Sequence, residues 1–186
     1  MQLQGKGGVR HLAMLSMMSA VAVICGYIEV LIPFSFGIPG VKLGLCNFVT
    51  VLILYLAKDS RLSFCRRVLD AAIVLLIRIV VISLLFTNVY ALLYSLAGGL
   101  FSLFVMAVCS RFSVIGATGC SVLGGISHNL AQLMIAALIV NELKLVYYLP
   151  VLLLSGTVTG FLTGILSDLL ISRRGVRKIY DRFFEG

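Results

Sequence analysis

Apolar runs of about eighteen or more residues, parted by short polar breaks, recur along this chain of 186 residues. A run that long covers the ~30 Å hydrocarbon layer of a bilayer when coiled as a helix. Inside hydrocarbon every backbone N–H and C=O must be satisfied within the protein, and a helix does this within one segment. Only 12% of the residues are charged and 61% are hydrophobic, giving a mean hydropathy of +1.13. Soluble domains carry about 25% charged residues, so the chain reads as an all-α polytopic membrane protein.

Apolar windows set against polar breaks predict six transmembrane helices, over 11–32, 43–57, 68–86, 89–109, 113–139 and 146–171. The second is short, and the fifth is long enough to open with an interfacial turn at "SVIGATG". Three parts follow: an N-terminal segment 1–10, a six-helix domain 11–171 and a basic tail 172–186. With an even number of spans, Lys6, Arg10, Lys58, Arg61, Arg66, Arg67, Arg111, Arg173, Arg174, Arg177, Lys178 and Arg182 fall on one side. Lys42 and Lys144 fall on the other. The excess of Lys and Arg in cytoplasmic loops places both termini in the cytoplasm, in a multi-pass protein of the plasma membrane.

The net charge of +8 sits in these loops, which argues against nucleic acid as a partner. The five cysteines form no CxxC pair and have no His at metal-ligand spacing, so no metal site is expected. The first apolar run continues to Pro33 with further spans behind it, which is unlike a cleavable signal peptide. "GKGG" at 5–8 lacks the leading glycine and the strand–helix context of a P-loop, so an ATP-driven step would need separate ATPases. No inverted repeat of the kind found in many secondary transporters is evident.

The polar residues inside the spans are few and fall at one depth. Arg78 lies twelve residues beyond Arg66, about 18 Å into the membrane. "ISHNLAQL" carries Ser127, His128, Asn129 and Gln132 to a similar height, with His128 and Gln132 on one helical face. Glu29 ends the first span, Asn47 follows the loop "FSFGIPGVKLGLCN", and Asn88 opens the fourth span. Charged groups at membrane depth cost several kcal/mol unless they are paired or face a polar cavity. One reading is therefore an outward-facing chamber for a small polar or anionic solute, lined by Glu29, Lys42, Asn47, Arg78, Asn88, His128, Asn129 and Gln132. The fork of donors on Arg78 would suit a carboxylate or phosphate. The alternatives are a structural Arg78–Glu29 pair, snorkelling of Arg78 to the outer headgroups, and an interhelical hydrogen bond from His128. Asp168, near Arg173, reads as half of an interfacial ion pair.

Small residues mark close helix contacts. Gly156, Gly160 and Gly164 recur every four residues in the last span, and the first has weaker pairs, Ser16 with Ala20 and Ala22 with Gly26. Such stripes serve either packing within the bundle or docking of a separate membrane subunit.

The segments "IPGVKLGLCNFVTVLILYL" (38–56), "SLLFTNVYALLYSLAGGLFSLFVMAV" (83–108), "GGISHNLAQLMIAALI" (124–139) and "YYLPVLLLSGTVTGFLTGIL" (147–166) resemble the Gx transporter family. That family is also labelled heptaprenyl diphosphate synthase component I, and it is similar to the substrate-binding S components of energy-coupling factor (ECF) vitamin transporters. The resemblance implies six helices, termini inside, and an outer pocket closed by the loop between the first two helices, with Lys42 as its charged contact. It also implies an ECF coupling subunit with its ATPases as partners, although Ala13, Ser16 and Ala20 make no strict Ala-xxx-Ala repeat. Members of the family occur beside flavin-linked electron-transfer proteins.

The two labels imply different chemistry. Prenyl elongation needs Mg²⁺ held by acidic clusters, whereas Glu29, Asp59, Asp70, Glu142, Asp168, Asp181 and Glu185 are scattered. The expectation is a substrate-binding transport subunit in contact with membrane lipid, not an enzyme, without cofactor or metal. A non-catalytic membrane partner of prenyl-diphosphate or quinone synthesis, or of a flavin-linked extracytoplasmic electron-transfer system, is the alternative.

Overall fold

The computed structural model describes residues 3–31, 44–45, 47–56 and 62–184. Those residues form helices and no strand: α1 (Leu3–Leu31), α2 (Asn47–Leu56), α3 (Phe64–Phe86), α4 (Val89–Arg111), α5 (Ala117–Val140), a 3-10 turn (Leu143–Tyr148), α6 (Leu149–Ser172) and α7 (Arg174–Phe184). Five of them are long and apolar enough to cross a membrane, so the chain is a helical membrane protein. Many of its large apolar side chains, such as Leu84, Phe104 and Leu162, face outward, as lipid-facing surfaces do.

Several boundaries differ from the sequence reading: α1 already begins at Leu3, inside the segment 1–10 expected to precede the first span, and α3, α5 and α6 start three or four residues from their expected positions. The second expected span is described as helix for ten residues only, too short to cross on its own. It is also the most interior element: every residue of α2 except Tyr55 is buried, packed against α3, α4, α5 and α6. The tail after Ser172 is largely helix, which apolar windows missed because its hydrophobicity is one-sided. Val176, Ile179 and Tyr180 recur at helical spacing, Tyr180 is buried, and α7 packs back on α1 and α6.

Local chemistry places the helix ends. Ser63 caps α3 by accepting the Arg66 N–H (3.4 Å), and Asn88 caps α4 by accepting the Ala91 N–H (2.9 Å). Asn141 ends α5 in the left-handed region (φ 54°), where Asn is tolerated better than most residues. Asp168 on α6 reaches across to the first turn of α5, accepting the Thr118 N–H (3.3 Å) and the Thr118 hydroxyl. Its partner is thus a helix N-terminus, which favours a carboxylate, in place of the Arg173 ion pair the sequence suggested.

The Gly156–Gly160–Gly164 stripe turns inward onto α5. A Cβ built at Gly156 would lie 2.7 Å from the Gly125 carbonyl oxygen, and one at Gly160 would lie 2.7 Å from that of Ser121. The backbones touch, and Ser121 and Thr163 bridge them through their hydroxyls (2.9 Å). Thr159, Thr163 and Ser167 donate back to carbonyls of their own helix, which satisfies them in a dry seam. By contrast Ala13, Ser16 and Ala20 lie on the exposed face of α1.

At the end of the bundle that carries the termini, α1 is tied to α3 by charge. Asp70, 3% exposed at its side chain, meets His11 Nε2 at 3.0 Å and Arg66 Nε at 3.4 Å, and Arg66 Nη2 meets His11 Nδ1 at 3.0 Å. Removing the acid leaves two basic groups facing each other. Asp70→Asn should therefore lower stability by about 2 kcal/mol, read as an earlier thermal unfolding midpoint in detergent.

Candidate functional site

Contacts across glycines fix the relative heights of the polar residues. On α4, a Cβ at Gly99 would touch Ile79 and Leu75 of α3 at 3.0 and 3.2 Å, while one at Gly98 would touch Gln132 and His128 of α5 at 2.7 and 3.0 Å. Arg78 is next to Ile79, so α3 and α5 present Arg78, His128 and Gln132 at one level. On α1, a Cβ at Gly26 would lie 2.9 Å from Ile82 and 3.5 Å from Cγ of Arg78. Cys25 lies within electrostatic reach of both Glu29 and Arg78.

The segment entering α2 closes on the same place. Gly44 has φ 80°, the left-handed region glycine adopts at little cost, and a Cβ there would meet Asn47 Nδ2 and His128 Cδ2 at 3.4 Å. Its N–H donates to Glu29 Oε1. The acid at the end of α1 thereby fastens the backbone that crosses above Asn47 and His128. Asn47 itself begins α2, and its N–H donates to the Gly44 carbonyl at 3.0 Å.

Burial makes these groups costly unless something pairs with them. Glu29, Asn47, Arg78, His128 and Gln132 are all buried, Arg78 at 3% exposure and Gln132 at 0%. Nε and Nη2 of Arg78 and both amide atoms of Asn47 have no hydrogen-bond partner in the described protein, and neither do the hydroxyls of Ser83, Ser95 and Ser102. An uncompensated buried polar group costs about 1–3 kcal/mol, and a charged one more. Donors left open at this depth are what a polar guest would satisfy.

The eight residues singled out from the sequence do not all share this place. Asn129, one position from His128 and so turned about 100° around the helix, faces α6. Its Nδ2 donates to the Leu152 carbonyl at 2.9 Å and to Ser155 Oγ at 3.1 Å, bonds that hold the α5–α6 seam. Asn88 is exposed and serves as the cap of α4. Lys42, with residues 32–43 of the loop expected to act as a lid, lies outside the described residues.

Ser95 and Gly44 join the neighbourhood without having been singled out as site residues. Serine hydroxyls in apolar spans are too common to stand out by type, and the role of Gly44 depends on a backbone angle. Helical periodicity could have found Ser95, which lies three residues before Gly98 on the same face of α4.

Residues 18–170 match the family model described as heptaprenyl diphosphate synthase component I. No curated protein and no solved structure matches the chain.

Proposed function

We propose, for a chain that belongs to the heptaprenyl diphosphate synthase component I family, the role of a non-catalytic membrane subunit that captures a small polar or anionic solute. The observation that carries this reading is Arg78: a buried guanidinium with Nε and Nη2 open, level with Gln132 and His128. Such a fork matches a carboxylate or phosphate edge. The N-terminus of α2 adds a partial positive charge at Asn47, so the site favours a guest with a negative group.

In this proposal the chain crosses the plasma membrane six times, with α2 and its entry segment counted as one crossing and both termini in the cytoplasm. The solute enters from the outer face, the loop ahead of Gly44 closes over it with Lys42 as its charged contact, and a partner drives reorientation. An architecture like that of ECF S components makes a transmembrane coupling subunit with ATPases the fitting partner, and the exposed Ala13–Ser16–Ala20 face of α1 its docking side. The test is mass spectrometry of small molecules that co-purify with the protein in mild detergent. A stoichiometric polar or anionic compound supports the reading; a preparation that holds no such compound, and binds none from a panel of carboxylates and phosphates, ends it.

A second reading takes the family description at its word: a membrane component that assists prenyl-diphosphate synthesis beside a catalytic partner. An apolar groove between α3 and α4 that opens sideways favours it, since a prenyl chain would enter from lipid. Binding of farnesyl diphosphate in that groove is the discriminating result.

A further inference from the structure

The groove between α3 and α4 has a volume of about 920 Å³ and lies toward the end of the bundle that carries the termini. Leu69, Ala72, Phe104 and Val108 are among its walls, and all but Ala72 are exposed. Its end is cationic. The Arg111 guanidinium lies 4.2 Å from the centroid of the Phe64 ring, and Arg67 lies 5.6 Å from the same centroid. Arg67 gives Nη1 to the Leu54 carbonyl (3.2 Å), while its Nε is buried without a hydrogen-bond partner. The ion pairs described at this end, from His11 and Arg66 to Asp70, use neither arginine.

We propose that this groove binds one anionic phospholipid. The phosphate sits against Arg111, with Arg67 adding positive potential behind the Phe64 ring, and one acyl chain lies between α3 and α4. Basic pockets between transmembrane helices on the cytoplasmic side are suited to anionic headgroups. From Phe64 to Ala72 the wall rises about 12 Å, close to the ~15 Å of a single leaflet, a span that suits one chain lying within one leaflet. An arginine stacked on an aromatic ring keeps its outer edge free for a phosphate while its apolar face stays covered.

The test is titration of the delipidated full chain in detergent with phosphatidylglycerol and, separately, with phosphatidylcholine of the same acyl chains, read by native mass spectrometry. One retained phosphatidylglycerol per chain is expected, with a preference over phosphatidylcholine that falls about fivefold in Arg111→Gln, the share of one interfacial basic residue. Ala72→Phe, which fills the wall and leaves the charges alone, should weaken both lipids. Equal retention of the two lipids overturns the proposal, as does a preference that survives Arg111→Gln, or tighter binding of farnesyl diphosphate than of phosphatidylglycerol. Unfolding temperatures in lipid-free detergent establish that each variant is folded; if Ala72→Phe does not fold, Arg111→Gln alone decides. Since Arg78 plays no part in these measurements, their failure leaves the solute site untouched.

Discussion

Arg78→Ala is expected to cut solute binding by roughly 30-fold or more, the ~2–5 kcal/mol lost when one partner of a buried charge-assisted contact is truncated. The same variant should unfold at an equal or higher temperature than the parent in the absence of solute. Nε and Nη2 make no hydrogen bond to the described protein, so alanine breaks no bond at these two atoms and removes a guanidinium whose burial at membrane depth is itself costly. The two readouts separate the roles. A guanidinium that served only to tie α3 to α1 would lower the unfolding temperature when removed and leave binding alone. Arg78→Lys adds a graded case: the charge stays, the two-pronged geometry goes, and affinity should fall between parent and alanine. Isothermal titration with the compound identified by co-purification, beside thermal unfolding of each variant, completes the comparison.

The second large effect is steric. Gly125→Ala adds a single methyl, yet the built Cβ would lie 2.3 Å from the Gly156 carbonyl oxygen and 3.4 Å from the Gly160 Cα. Those atoms are backbone, which no rotamer change can move aside. Separating α5 from α6 would also pull Asn129 from Leu152 and Ser121 from Thr163, whose bonds need the same close approach. A loss of about 3 kcal/mol, at the upper end of ordinary overpacking, is expected. Size-exclusion profiles after mild heating should show aggregation at temperatures the parent survives. The control lies on the same helix. At Gly119 the nearest atom to a built Cβ is Ile115 Cγ2 at 3.4 Å, an ordinary contact, so Gly119→Ala should be neutral or stabilising by up to about 1 kcal/mol through helix propensity. Equal stability of the two alanine variants would contradict the backbone-contact account.

The long helices were legible because hydrocarbon imposes one rule along their whole length, and runs such as 68–86 and 89–109 lie within α3 and α4. What escaped was set by partners and not by local sequence. The ten-residue α2 belongs to a longer apolar run, and nothing in Leu43 or Leu45 shows where coiling begins; the left-handed Gly44 and its bond to Glu29 do. That Arg78, His128 and Gln132 lie at one level could be read from depth alone, since helix rise is fixed. Which way each faced around its axis could not. Depth grouped Asn129 with His128, although one residue's rotation sends its amide to α6. Asp168 was misjudged for a related reason: Arg173 is near in sequence, but the orphan N–H groups at the start of α5 are near in space. The cluster of Asp70 and His11 joins residues 59 apart, beyond any local pattern, while its Arg66–Asp70 half has the i, i+4 spacing of a helical ion pair.

The short central helix has a consequence for permeability. Ten residues rise about 15 Å, half the thickness of the hydrocarbon layer, and α2 runs from Asn47 beside His128 down to Leu56 near Met14 and Tyr180. Val49, Val51, Leu52, Ile53 and Leu54 are almost wholly sealed within the bundle. Among the described residues, the way inward from Asn47 is filled by these side chains, on a helix that already uses its own backbone hydrogen bonds. For a guest held at the proposed site, inward passage would then require whole helices to move around this plug instead of a pore opening through it.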